Sequence, residues 1–99
     1  MSQADLASKT KSKTEKPKRY TVVFLNDDFT PVDFVMQVMM QVFKQGLEEA
    51  ERITLDIHKK GKGTVGVYSH EVAEAKVAQV MSAARRYEYP LTCSPAPID

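Results

Sequence analysis

The chain has no tryptophan, only four glycines, and a single cysteine, Cys93, in its 99 residues. One cysteine cannot close an internal disulfide. That usage fits a reducing compartment, so the cytosol is the expected location. No apolar run approaches the roughly 20 residues that cross a bilayer, and no signal-peptide core precedes a cleavage site, so no membrane is expected as a partner. There is no glycine-rich phosphate loop and no Gly-x-Ser-x-Gly elbow. His58 and His70 are the only histidines, so Cys/His metal spacing is missing and neither a metal nor another cofactor is expected. A Cys–His nucleophile pair survives formally, but nothing around it supports catalysis. The sequence reads as a binding protein, not an enzyme.

What is present suits one small domain. Hydrophobic residues make up 42% and charged residues 27%, an ordinary balance for a globular chain. A domain of this length hides about 60% of its unfolded surface, enough for a single core. The net charge of +1 is unevenly distributed. Lys9, Lys11, Lys13, Lys16, Lys18 and Arg19 face only Asp5 and Glu15 in residues 1–19, a net +4 that leaves −3 on the remaining 80. The basic stretch has no interleaved aromatics on which bases could stack, so no nucleic-acid partner is expected. Low hydrophobicity and no periodicity mark residues 1–18 as a disordered basic extension, 19–94 as the core and 95–99 as a tail.

Along the core, Tyr20 to Leu25 is a β-branched and aromatic run that predicts a buried strand. Asn26-Asp27-Asp28 ends it with turn-forming side chains. Thr30 is expected to cap a helix that opens at Pro31, with Asp33 in its first turn and Val35, Val38, Met39 and Val42 at helical spacing. Past Gly46, acids at Glu48, Glu49 and Glu51 and bases at Lys59 and Lys60 complement the dipole of a second helix that stops at Gly61. Residues 63–68 predict a second strand with Val65 and Val67 two apart. Ser69 caps a third helix whose apolar stripe is Ala73, Val77, Val80, Met81 and Ala84. Pro90 precedes a short third strand at Leu91-Thr92-Cys93. The order β-α-α-β-α-β predicts an α+β domain of two layers, with helices on one face of a small sheet.

The notable chemistry is the turn Asn26-Asp27-Asp28-Phe29-Thr30-Pro31 together with His58. Thr54 and His58 lie one helical turn apart with Ile57 beside them, so polar atoms border an apolar patch. Val35 closes that patch if the first two helices are neighbours. An apolar hollow ringed by a few polar groups is what a ligand site looks like.

Those residues, with Glu71-Val72-Ala73-Glu74-Ala75-Lys76-Val77-Ala78 and Pro90-Leu91-Thr92-Cys93, resemble the ClpS family, adaptors that deliver N-degron substrates to Clp-type AAA+ proteases. The resemblance spans about residues 18–94 and implies three antiparallel strands. It further implies that Asn26 and His58 contact a substrate's free α-amino group, that Asp27 assists, and that Asp28 shapes the turn. An ammonium has three donors and wants acceptors around it, which these side chains supply. The resemblance places Thr30, Val32, Val35, Thr54, Ile57 and Leu91 around a pocket for an N-terminal Leu, Phe, Tyr or Trp. Val32 and Thr54 stand where the family often has methionine. Glu71 and Lys76 fall at positions that the family uses to dock on the N-terminal domain of the AAA+ unfoldase, and the resemblance puts the chain in a bacterial cytoplasm. Separately, a monomer is expected. The main alternative is a factor-binding module on the same fold, like a ribosomal stalk domain. If neutral His58 accepts from the ammonium, acid weakens binding around the ordinary histidine value of about 6.5.

Overall fold

In a computed structural model, residues 17–98 are described. The expected basic extension at 1–18 therefore lies almost wholly outside the described residues. Three strands and three helices alternate as β1 (Tyr20–Leu25), α1 (Val32–Gln41), α2 (Leu47–Lys60), β2 (Lys62–Tyr68), α3 (His70–Arg86) and β3 (Thr92–Pro97). The strand order is β2-β1-β3, and both pairings are antiparallel. The α+β, two-layer architecture is the one the element order predicts.

The core follows from alternation along the central strand. Val22 and Phe24 of β1 are fully buried under the helices, with Val65 of β2 and Cys93 of β3 flanking them. Met39 descends from α1, Phe43 from the loop that follows it, Ala50, Ile53 and Ile57 from α2, and Ala73, Val80 and Ala84 from α3. Burying each large side chain contributes about 1.5–3 kcal/mol. Alanines on the inner face of α3 let that helix lie close to the sheet.

Three local expectations are corrected. Thr30 does not cap α1: the helix starts one residue later, with Pro31 as N-cap and no side-chain capping bond. The Thr30 hydroxyl and N–H both donate to the Asp27 carboxylate instead, so the turn has taken the group that a cap needs. Val65 and Val67 both lie in the expected strand, but they do not share a face. A bulge between the Val22 and Tyr20 pairs, with Gly66 at φ 77, sends Val67 outward and turns Tyr68 towards the helices. A Cβ on Gly66 would meet the Tyr68 ring at 2.3 Å, so glycine is required there twice over. Finally, the third strand does not end at Cys93. Pro95 pairs with Val22 and Pro97 with Tyr20, and Ile98 N–H donates to Arg19 O at 2.8 Å, so most of the stretch read as a tail belongs to the sheet. Proline is tolerated because β3 is an edge strand.

Helix ends explain the remaining geometry. Ser69 Oγ accepts from Val72 N–H at 3.2 Å and caps α3 as expected. Gly61, at φ 86, ends α2 in the left-handed conformation, and its carbonyl accepts from Asn26 N–H at 2.9 Å. That bond joins the end of β1 to the last turn of α2.

Candidate functional site

The joint between β1 and α2 creates the site. Leu25 pairs with Lys62 across the sheet, and Asn26 N–H reaches Gly61 O, three residues past His58. Asn26 and His58 therefore stand at the rim of one hollow of about 220 Å³, together with Asp27 and Asp28. Its apolar part comes from Val32 and Val35 of α1, Ile57 of α2 and Leu91 ahead of β3, with Thr30 and Thr54 completing the wall. Every residue named from sequence for the amino-group and side-chain sites lines this one cavity. Leu25, which also lines it, was not named. Its sequence signal was an apolar residue directly before the Asn-Asp-Asp turn, and the structure leaves it half-exposed.

The turn that forms the rim is held by Asp27. Its Oδ1 accepts from Phe29 N–H at 2.8 Å and Thr30 N–H at 2.7 Å, while Oδ2 accepts from Thr30 Oγ at 2.8 Å. Partial burial pushes the Asp27 carboxyl upwards, but the three donated hydrogen bonds outweigh it and hold the group below its ordinary value. It is thus anionic at neutral pH, with Oδ1 accepting twice and Oδ2 once from the turn. Asp28 and the side chains of Asn26 and His58 are exposed and have no hydrogen bond or ion pair among the described residues. They are acceptors left available to something else.

The wall is drier than its composition suggests. Thr54 is buried, and its hydroxyl donates to Ala50 O at 2.7 Å, one turn back on its own helix, with Met36 Sδ at 3.5 Å. The polar atom is satisfied inside the protein. Val32, 60% exposed, sits at the mouth, whereas Val35, Ile57 and Leu91 are buried at the base. Such a cavity offers an anionic, acceptor-rich rim above an apolar floor. It is built to take a cation attached to a greasy group.

A family model described as "ATP-dependent Clp protease adaptor protein ClpS" matches residues 15–94. The chain belongs to the ClpS family. It is 53% identical over 89 residues to the ATP-dependent Clp protease adapter protein ClpS of Maricaulis maris, spanning 90% of this chain and 82% of that one. It is 47% identical over 91 residues to the ClpS of Caulobacter vibrioides strain NA1000, spanning 92% and 84%. Among solved structures, Agrobacterium tumefaciens ClpS2 bound to L-phenylalaninamide superposes with a TM-score of 0.80 at 31% identity, covering 84% of this chain and all of that one. ClpS proteins are Clp protease adaptors and not enzymes, which sets the stalk-like alternative aside.

The other sequence-named positions lie elsewhere. Glu71 is exposed in the first turn of α3. Lys76, one turn further, is half-buried: its Nζ donates to Val42 O at 2.9 Å and lies 5.4 Å from the Tyr68 ring centroid and 5.9 Å from that of Phe43. Cys93 is buried, which pushes its thiol up to about 12 and removes it as a nucleophile. His70 meets Glu74 at 3.2 Å and packs on Tyr20, away from the cavity. No group of side chains able to hold a metal ion occurs among the described residues, and no described helix is long and apolar enough to cross a membrane.

Proposed function

We propose that this ClpS-family chain binds the free α-amino group and the bulky hydrophobic first residue of substrate proteins and delivers them to a Clp-type AAA+ unfoldase for degradation. The observation that carries the reading is the single hollow in which Asn26, Asp27, Asp28 and His58 rim an apolar base. Phenylalaninamide, the ligand of the related ClpS2, has both features the hollow suits: a free amino group and a large apolar side chain.

In this reading the Asn26 amide oxygen and a neutral His58 nitrogen accept from the ammonium. Asp27 supplies negative charge from within the turn, and Asp28 keeps that turn open. The first side chain, Leu, Phe, Tyr or Trp, passes Thr30 and Val32 and settles against Val35, Thr54, Ile57 and Leu91. Burying it is worth about 1.5–3 kcal/mol, and each charge-assisted hydrogen bond about as much. After the cost of immobilising the peptide, micromolar affinity, about −8 kcal/mol, is reasonable. A short Val32 and a Thr54 whose hydroxyl is already engaged widen the tolerance of the wall, so β-branched first residues are accepted better than where methionines stand. The unfoldase's N-terminal domain docks on α3, where exposed Glu71 offers a carboxylate and Lys76 keeps ammonium donors beyond the one on Val42 O. The chain works as a monomer in the cytoplasm.

The test is a pair of peptides starting with Leu, one with a free N-terminus and one acetylated. Acetylation removes the charge and leaves the side chain, so affinity should fall at least about 100-fold, the loss of more than one charge-assisted bond. Equal affinity for the two would end the reading.

A further inference from the structure

A second cleft lies on the other side of the first turn of α1. Phe34, Tyr87 and Tyr89 line it, with Pro31, Asp33 and Gln37. The Phe34 ring meets Tyr89 edge-on at a centroid distance of 4.9 Å and Tyr87 at 6.0 Å, and the two tyrosines stack at 5.9 Å with 23° between their planes. None of these rings lines the amino-group hollow.

The tyrosines are held there by a defined backbone device. Tyr87 caps α3, Glu88 N–H donates to Arg85 O at 3.0 Å, and Tyr89 N–H donates to Ala84 O at 2.8 Å, the two bonds of a Schellman ending. The left-handed position of that ending, usually glycine, is here Glu88 at φ 61. The ending turns the chain so that residues two apart present their rings side by side. Tyr87 is nevertheless 59% exposed, an apolar face left uncovered.

Two features identify what fits. Among the described residues the only charged side chain lining the cleft is the Asp33 carboxylate, and Arg86 lines a separate hollow with Gln79, Ser82 and Ala83. Aromatic faces beside an anion, with no lining cation, form a receptor for a guanidinium or ammonium group. The cleft neighbours the amino-group hollow across the first turn of α1: Pro31 and Val32 adjoin in sequence, as do Phe34 and Val35, and Tyr89 and Leu91 flank Pro90. A helix is about 10 Å across, a span that three or four extended residues of a bound chain cover.

We infer that the Phe34–Tyr87–Tyr89 cleft is a second subsite that receives an arginine or lysine side chain of the substrate, a few residues after its N-terminus. The inference rests on the proposed amino-group reading and refines its substrate class to N-termini followed by a basic residue. An exposed aromatic–cation contact with a carboxylate nearby should tighten binding about threefold to tenfold.

The experiment walks one Arg through positions two to seven of an otherwise uncharged peptide with a free N-terminal Leu, using the full chain. The expected result is one or two adjacent positions at which Arg binds about threefold to tenfold tighter than Ala, with the increment lost in Tyr87→Ala and in Asp33→Asn. The Arg-free peptide should bind the wild type and both variants alike, which controls for folding. A flat walk, or an increment that survives Tyr87→Ala, overturns this inference alone. Failure of the Arg-free peptide to bind at all overturns the amino-group reading, and this inference with it. A dimer in sedimentation that Tyr87→Ala dissolves would assign the rings to a second copy and also overturn it. So would Tyr87 signals that shift, without peptide, when the lysines of residues 9–18 are replaced.

Discussion

The two ends of α1 are built on opposite principles. At its C-terminal end four carbonyls are answered: Val42 N–H donates to Val38 O, Gln45 N–H to Met39 O, the Gln45 side chain to Phe43 O, and Lys76 Nζ to Val42 O beneath two aromatic rings. At its N-terminal end Pro31 caps without a side-chain bond, Val32 is exposed, and the adjoining turn presents Asn26 and Asp28 with nothing bonded to their side chains among the described residues. Satisfied polar groups hold the domain together. Unsatisfied ones at the rim of an apolar hollow are available to a ligand, and that contrast separates the proposed binding end of the molecule from its structural end.

Substitutions at the two ends should therefore fail in different assays. The largest effect is expected from Asn26→Ala, which removes an acceptor for the ammonium. Peptide affinity should drop about 10- to 100-fold, measured by fluorescence anisotropy, while the melting temperature stays within error because that side chain supports nothing in the fold. A matching loss of stability would mean that Asn26 belongs to the structural class.

Lys76→Met should show the reverse. It leaves the Val42 carbonyl unanswered and removes a cation from a helix C-terminus, at a cost of about 1–2 kcal/mol in denaturant unfolding. Affinity for a free N-terminal Leu peptide should not change. If it fell together with stability, the two ends of α1 would not be independent.

The smallest effect concerns Asp27, which belongs to both classes, since its oxygens hold the turn and its charge faces the rim. Its folded-state value is lowered, so its contribution is present above the ordinary carboxylate range of about 4 and is lost as pH falls through the depressed value. The turn is partly open to solvent, so the amount is below about 1 kcal/mol. Urea unfolding of wild type and Asp27→Asn between pH 7 and 3 should show a slightly shallower acid loss in the variant. Identical slopes would mean the three hydrogen bonds add nothing.

Much of this was legible before the structure, and for physical reasons. Helical spacing placed Thr54, Ile57 and His58 on one face of α2, and the strand-ending turn placed Asn26 to Asp28 beside a helix start. Local rules were less reliable where one group had two possible partners. Thr30 could cap a helix or bond to Asp27, and the carboxylate three residues back prevailed. Val67 could follow Val65 or be displaced by Gly66, and the room beside the Tyr68 ring favoured the bulge. Pro95 and Pro97 read as the end of a strand, yet an edge strand accommodates them.

By itself the sequence determined the element order, the single core, the absence of local catalytic motifs and the candidate side chains, because periodicity and turn chemistry act over a few residues. Only the tertiary structure decided that Asn26 and His58, 32 positions apart, border the same hollow, and that Tyr87 and Tyr89 meet Phe34 across the domain. Those juxtapositions depend on long-range pairing, the Asn26–Gly61 bond in one case and the packing of the end of α3 against α1 in the other, and no short stretch of chain encodes them.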